Sequence, residues 1–348
     1  MTGYLKTLIS LLFILALASC SRQTEPVLTP KVITDEPEKT AAETEEVVEK
    51  FTIGTFTAIE VPIEETSVES VIITAPKAEF EGLSPSNKLA ITTHGINEED
   101  EKYSVILDDL NAFFAEYGEN AGFLYYNIDT GASFEYNADE RLAAASIIKA
   151  PYSRAVLGAE SDLTRTFEMT EELLNSPSEL IGGKPVGSLF TIEELIKAAI
   201  VRSDNTAFKM LYHYLGYSDF NEYSQSLNIP HRMTDENYWF RLSARQTSVY
   251  FKEMYYFSKQ HINGGFLHEC LTNTQYNLFR QELSEYTVAG KYGYLLQDEY
   301  YTLGCASIVY AESPYIIVGY VRGYAEEPLD ENFFRKAAGL TNSLHIAL

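Results

Sequence analysis

Ser146 and Lys149 stand three residues apart in Ser146-Ile147-Ile148-Lys149, at the opening of an apolar run that reaches Leu157. On a helix, positions i and i+3 share a face, which brings a serine hydroxyl and a lysine amine within hydrogen-bond reach. The chemistry such a pair offers is nucleophilic. A hydroxyl attacks a carbonyl poorly at neutral pH unless a neighbour takes its proton, and a lysine kept neutral by burial can be that neighbour. The string alone carries little weight, because Ser-x-x-Lys arises about once by chance in a chain of this length, usually as a helix start with a solvated lysine. Its flanks are less ordinary: Ala143 to Ala145 precede it and Ala150-Pro151 follow, small residues that let other elements pack closely around the serine. Two further strings carry hydroxyl, amide and ammonium groups: Ser203-Asp204-Asn205 and Lys291-Tyr292-Gly293. Taken singly, the first reads as well as a helix cap, for which all three residue types are suited, and the second carries no signal.

The elements that must position these groups are legible from about residue 101. Val105, Ile106, Leu107, Leu110, Phe113 and Phe114 fall at helical spacing within Tyr103 to Tyr117, predicting an amphipathic first helix. Phe123 to Ile128 reads as a strand, Asp129-Thr130-Gly131 as its turn and Ser133 to Tyr136 as the returning strand. Residues 146 to 280 read as mostly helical. Thr191-Ile192-Glu193-Glu194 is a capping box ahead of Leu195 to Val201, and Ser243-Ala244-Arg245-Gln246 is another ahead of a helix to Phe257. Three apolar strands follow, around Tyr286 to Ala289, Cys305 to Tyr310 and Tyr315 to Val321, and a last helix over Asn332 to Leu348. This order predicts an α+β fold: a five-stranded antiparallel sheet whose first and last strands meet, terminal helices on one face and an inserted all-helical lobe. A cleft between sheet and lobe is where a site would form.

The first twenty residues speak to compartment. Lys6 leads into an apolar stretch from Leu8 to Leu17 that closes with Leu17-Ala18-Ser19-Cys20, a secretory signal too short to span a membrane. Its ending resembles a bacterial lipobox, which implies cleavage before Cys20, lipidation of its thiol, and an exported catalytic domain tied to the membrane. Residues 21 to 100 hold 17 Asp or Glu against 6 Lys or Arg, a net −11 of the chain's −24. Up to about Lys50 this stretch has no aromatic residue and reads as a disordered tether. The organisation expected is therefore a signal peptide over 1–19, a lipid-anchored acidic tether over 20–100, mostly disordered, and one folded domain over 101–348. Such acidity argues against nucleic acid and anionic lipid headgroups as partners. The two cysteines of the mature body, Cys270 and Cys305, read as buried free thiols rather than a disulfide. The six histidines never fall into metal-ligand spacing, so no metal and no cofactor are expected.

In order and spacing, the three strings match the Ser-x-x-Lys, Ser-Asp-Asn and Lys-Thr-Gly set of penicillin-binding proteins and class A β-lactamases. Asn127 to Gly131, Tyr136 to Glu140, Ala144 to Pro151 and Ser203 to Ala207 also look like class A β-lactamase sequence, and the resemblance covers residues 101 to 348. It implies a β-lactamase/transpeptidase-like fold, with Ser146 the acylated nucleophile and Lys149 its proton acceptor or relay. Ser203 would pass a proton to the leaving nitrogen, Asn205 would hold the substrate amide, and Lys291 would supply positive charge opposite Ser203. The N–H groups of Ser146 and of Tyr294, which follows Lys291-Tyr292-Gly293, would form the oxyanion hole, a donor pair that suits the tetrahedral intermediate. Two neighbouring lysines would also depress each other's pKa.

The chain departs from that family in two places. The Glu-x-x-Leu-Asn loop that activates the deacylating water is missing; Glu236 lies at about the right distance, followed by Asn237-Tyr238-Trp239-Phe240. Tyr292 replaces the small hydroxyl residue that contacts the substrate carboxylate, no arginine opens the next strand near Leu303-Gly304-Cys305, and Arg322 on the last strand is a distant substitute. The resemblance implies a serine hydrolase acting on a β-lactam or related amide, and a monomer is expected. A D,D-peptidase acting on peptidoglycan peptides, and a non-catalytic binding or sensing module, remain as alternatives.

Overall fold

The structure, a computed structural model, describes residues 90–235 and 237–348. The signal segment, Cys20, most of the acidic tether and Glu236 lie outside the described residues. Strand β1 (Thr92–His94) and helix α1 (Glu101–Ala115) come first, the helix opened by Asp100, whose side chain accepts from the Lys102 N–H. Strands β2 (Ala121–Asn127) and β3 (Ser133–Tyr136) form the expected hairpin, its turn held by Asn127 Oδ1, which accepts from the N–H groups of Asp129 and Thr130. Strand β4 (Leu142–Ala143), a 3₁₀ turn over Ala145–Ile148 and helix α2 (Lys149–Ala159) then enter the helical lobe. The lobe comprises β5 (Thr166–Glu168), β6 (Leu189–Thr191), α3 (Ile192–Val201), α4 (Asn205–Leu215), α5 (Ser218–Ser226), β7 (Arg241–Leu242), α6 (Ala244–Gln260) and α7 (Gly264–Thr272). Both predicted capping boxes form, Thr191 with Glu194 on α3 and Ser243 with Gln246 on α6. The chain closes with β8 (Thr287–Gln297), β9 (Tyr300–Tyr310), β10 (Tyr315–Tyr324) and α8 (Glu331–Ala347).

The main sheet is antiparallel in the order β1-β3-β2-β10-β9-β8. Strand β10 pairs with β2 from Tyr315 opposite Asn127 to Val321 opposite Ala121, so the early hairpin and the late strands do meet. Period-two alternation along β10 divides the molecule into two cores. Ile316, Val318 and Tyr320 face the helical lobe, where Tyr320 Oη lies 2.8 Å from Thr247 Oγ1 of α6. Tyr315, Ile317 and Val321 face the terminal helices, where Phe113 and Phe114 of α1 meet Phe333 of α8. Cys270 lies in the first core and Cys305 in the second; both thiols are buried and free.

Two expectations change. The sheet has six strands rather than five, because Thr92–His94 pairs with Ser133–Glu135 at the edge, inside the stretch assigned to the tether. Three polar residues beside an acidic run carry no alternating apolar pattern, so only pairing reveals that strand. The late strands are also longer than their apolar cores, and β8 carries Lys291 to Gly293 at mid-strand. Among the described residues, no helix is long and apolar enough to cross a membrane and no cluster of His, Cys, Asp and Glu is placed to hold a metal.

Candidate active site

Three pieces of backbone converge on one cavity of about 570 Å³: the 3₁₀ turn ahead of α2, the α3–α4 junction and strand β8. Ser146, Ser203, Asn205, Trp239, Tyr276 and Tyr292 are among the residues that line it. The turn is anchored from below, where β4 pairs with β7 and the Ala144 N–H donates to Phe240 O. Ala145 and Ser203 hold φ of 45° and 56°, a left-handed conformation that non-glycine residues rarely adopt. Such backbone persists where surrounding structure over-determines it, and here it flanks or carries both serines.

Lys149 is fully buried. Its Nζ donates to Ser203 O at 2.5 Å and to Asn205 Oδ1 at 2.6 Å, and lies 3.5 Å from Ser203 Oγ. The rings of Trp239 and Phe208 lie 5.7 and 5.8 Å away. Burial, then repulsion from Lys291, hold its pKa well below the usual lysine range, against a smaller opposing pull from Asp204. A neutral amine has two hydrogens and one lone pair. With the two hydrogens taken by the carbonyl oxygens, the lone pair is left to accept a proton. The expected Ser146–Lys149 hydrogen bond is absent among the described residues, since the amine turns toward these two stronger acceptors. In substrate-free sites such bonds are often formed only once substrate is seated.

Lys291, buried on β8, donates to Ser203 Oγ at 3.0 Å and to Tyr292 O at 3.1 Å. The Ser203 hydroxyl thus lies between two buried amines. Burial lowers the Lys291 pKa to about 7. Because that value lies below the pKa of about 10.4 of an unfolded lysine, the fold gains stability as pH rises from about 7 toward 10 and loses it as pH falls through 7. Lys291→Met is therefore expected to raise stability at pH 6 by on the order of 2 kcal/mol and to flatten its rise between pH 6 and 9. Urea unfolding at the two pH values measures this; an unaltered pH dependence would mean that Lys291 keeps its proton in the fold.

Gly293 explains how β8 comes so close to the nucleophile. A Cβ there would sit 2.7 Å from Ala144 O and 2.9 Å from Ser146 N. The Ser146 N–H precedes the first bond of its turn, which Ile147 donates to Ala144 O. Beside it, Tyr294 supplies the next strand amide and its exposed side chain lines the cavity. Tyr292 lays its ring 4.8 Å from Lys291 Nζ and packs edge-on against Tyr276 with centroids 5.4 Å apart.

Asp204 resolves the two meanings of its tripeptide. Its buried carboxylate caps α4 through the Ala207 N–H and also accepts from Ser178 Oγ and the N–H groups of Leu180 and Ile181. The cap faces inward while Ser203 and Asn205 face the cavity. Asn205 Nδ2 donates to Ser176 O at 3.2 Å, so its amide is already fixed at both ends. Arg322 does not reach the site: its guanidinium bonds Asn120 Oδ1 at 2.9 Å and lines a different cavity. Spacing along the chain overlooked Arg202, Trp239 and Tyr276. Arg202 alone had a local signal, adjacency to Ser203.

The sequence model of a beta-lactamase enzyme family matches residues 106–343. Beta-lactamase ROB-1 of Haemophilus influenzae is 40% identical over 103 residues, 29% of this chain and 33% of that protein. A beta-lactamase of Amycolatopsis lactamdurans is 37% identical over 98 residues, 26% of this chain and 31% of that protein. The chain spans about a third of the length of these curated relatives. Among solved structures, PBP-A superposes with a TM-score of 0.58 at 21% identity, over 66% of this chain and 90% of its own. The TLA-3 extended-spectrum beta-lactamase does so with 0.62 at 15% identity, over 70% and 99%. At these identities the likeness is one of fold.

Proposed function

The chain belongs to the beta-lactamase enzyme family, and we propose that it is a serine hydrolase that opens a β-lactam or a related amide through an acyl-Ser146 intermediate. The observation that carries this reading is the Ser203 hydroxyl held between Lys149 and Lys291, with burial and repulsion from Lys291 pushing the Lys149 pKa well below the usual lysine range. As Ser146 Oγ attacks the carbonyl, its proton passes to the Lys149 lone pair. The carbonyl oxygen becomes an oxyanion, met by the N–H groups of Ser146 and Tyr294. The C–N bond then breaks, with the leaving nitrogen taking its proton from Ser203 and Ser203 regaining one from Lys149. Lys291, when charged, stabilises the transient Ser203 oxygen.

Release of the acyl group is the slower half. Among the described residues lining the cavity, the acidic side chain is that of Glu179, 86% exposed and facing Arg202, and the Trp239 ring lies beside Lys149. A carboxylate positioned to activate water against the ester is not found there. Glu236 lies outside the described residues, so it is the missing Glu-x-x-Leu-Asn string together with Tyr292 that favours a D,D-peptidase-like or penicillin-binding mode over fast lactam turnover. One mutant of PBP-A has been solved as an acyl-enzyme complex with penicillin G, a property of that protein that suits the same mode. A purely binding module has no use for two buried amines, each costly to bury. The Leu17-Ala18-Ser19-Cys20 ending supports export with a lipid anchor at Cys20, leaving the domain outside the cytoplasm.

Incubation with benzylpenicillin, followed by intact mass, is expected to give one stoichiometric adduct that persists for minutes or longer. Rapid appearance of hydrolysed penicillin without accumulation of adduct would place the protein with fast lactamases instead. No adduct and no hydrolysis would remove the acyl-transfer reading.

A further inference from the structure

We propose that Trp239 is a positioning residue for the acyl-transfer step: its indole is the wall between two hollows and keeps water from the Lys149 amine. The inference rests on the acyl-transfer reading above and names the side chain that holds the base of that reaction ready.

Trp239 lines the cavity of Ser146 and Ser203, and it also lines an open hollow of about 580 Å³ whose other walls include Arg141, His231 and Arg241. It therefore stands on the boundary between the two. The Lys149 amine donates to Ser203 O and Asn205 Oδ1, and the rings of Phe208 and Trp239 lie 5.8 and 5.7 Å from it. Phe208 is buried whereas Trp239 is half-buried, so the indole is the ring with open space behind it.

Backbone and packing fix the indole in place. Phe240 O, in the next residue, accepts from the Ala144 N–H, and Arg241 pairs with Ala143, which ties this segment to the turn that carries Ser146. The indole also packs on Phe208, with centroids 5.5 Å apart. An amine walled off from water favours its neutral form, because the charge is poorly solvated there. A ring face attracts the charged form, an effect of opposite sign, but one that reaches only to about 6 Å. At 5.7 Å the exclusion of water is the larger effect. The charged groups that act on this amine are Lys291 of β8 and Asp204 at the start of α4, and a substitution at Trp239 leaves both in place. Asp139, Glu140, Arg141, His231 and Arg241 line the second hollow and not the first.

The test follows acylation by benzylpenicillin against pH in the unaltered protein, Trp239→Ala, Trp239→Gln and Trp239→Phe. In the alanine variant the acid limb is expected to move up by about one pH unit, slowing acylation about tenfold on that limb and far less above it. Trp239→Gln admits water while filling more of the space, so it repeats the test should the alanine variant melt early. Trp239→Phe keeps an aromatic wall and should shift the limb less than either. Carbon-13 NMR of protein labelled at lysine Cε, with the Lys149 signal assigned by its loss in Lys149→Met, should show the same upward shift in titration without any substrate. An acid limb and an NMR titration that stay in place or move down, or slowing that is equal at every pH, would overturn the assignment of Trp239 alone. Failure of the unaltered protein to be acylated would overturn the acyl-transfer reading and this positioning role with it, whatever the NMR titration shows.

Discussion

Lys149→Met is expected to slow acylation of Ser146 by about 1,000-fold or more at pH 7, because it removes the group that takes the serine proton. The size follows from where the amine sits. Lys149 is buried and donates to Ser203 O and Asn205 Oδ1, and repulsion from Lys291 adds to burial in lowering its pKa, which favours the neutral amine. Methionine matches its length without a lone pair on nitrogen. The pH profile carries the sign. In the unaltered protein, acylation should fall as pH drops and Lys149 gains a proton, and also fall above about 7 as Lys291 loses its own. Single-turnover mass spectrometry from about pH 5 to about pH 9 measures both limbs. A Lys149→Met protein that still acylates within tenfold of the original would place the base elsewhere.

Gly293→Ala should cost nearly as much by a different route. The new Cβ would meet Ala144 O at 2.7 Å and Ser146 N at 2.9 Å, and both are backbone atoms that cannot swing aside. Either β8 retreats from the 3₁₀ turn or the turn shifts. Both outcomes separate the two amides that would hold the oxyanion. Loss of one such donor typically costs about 100- to 1,000-fold in rate, and overpacking costs about 1–3 kcal/mol in stability. The equivalent change at Gly265, where a Cβ meets nothing within 4 Å, is the control and should leave acylation intact. Acylation by Gly293→Ala at the unaltered rate would mean that Ser146 N–H and β8 do not act together.

Much of this was legible locally. The hairpin, both capping boxes and the terminal helices follow from contiguous patterns, and the order of the three strings pointed to one site. What escaped is long-range or short. Strand β1 has three polar residues and exists through its pairing with β3. The Ser146–Lys149 spacing placed both on one helical face, but acceptors more than fifty residues away draw the amine from the serine. Asp204 was readable as a cap from its residue type, whereas its bonds to Ser178, Leu180 and Ile181 depend on a loop that only folding delivers. Trp239 beside Lys149 and Tyr276 against Tyr292 are likewise contacts between distant segments.

The central claim is that Ser146 forms a covalent acyl bond. Its most direct test is to label the protein with benzylpenicillin, digest it and map the added mass. The mass is expected on the peptide containing Ser146, with no adduct in Ser146→Ala, whose melting temperature should stay close to that of the original. An adduct that maps to another residue, or that survives in Ser146→Ala, would contradict the account.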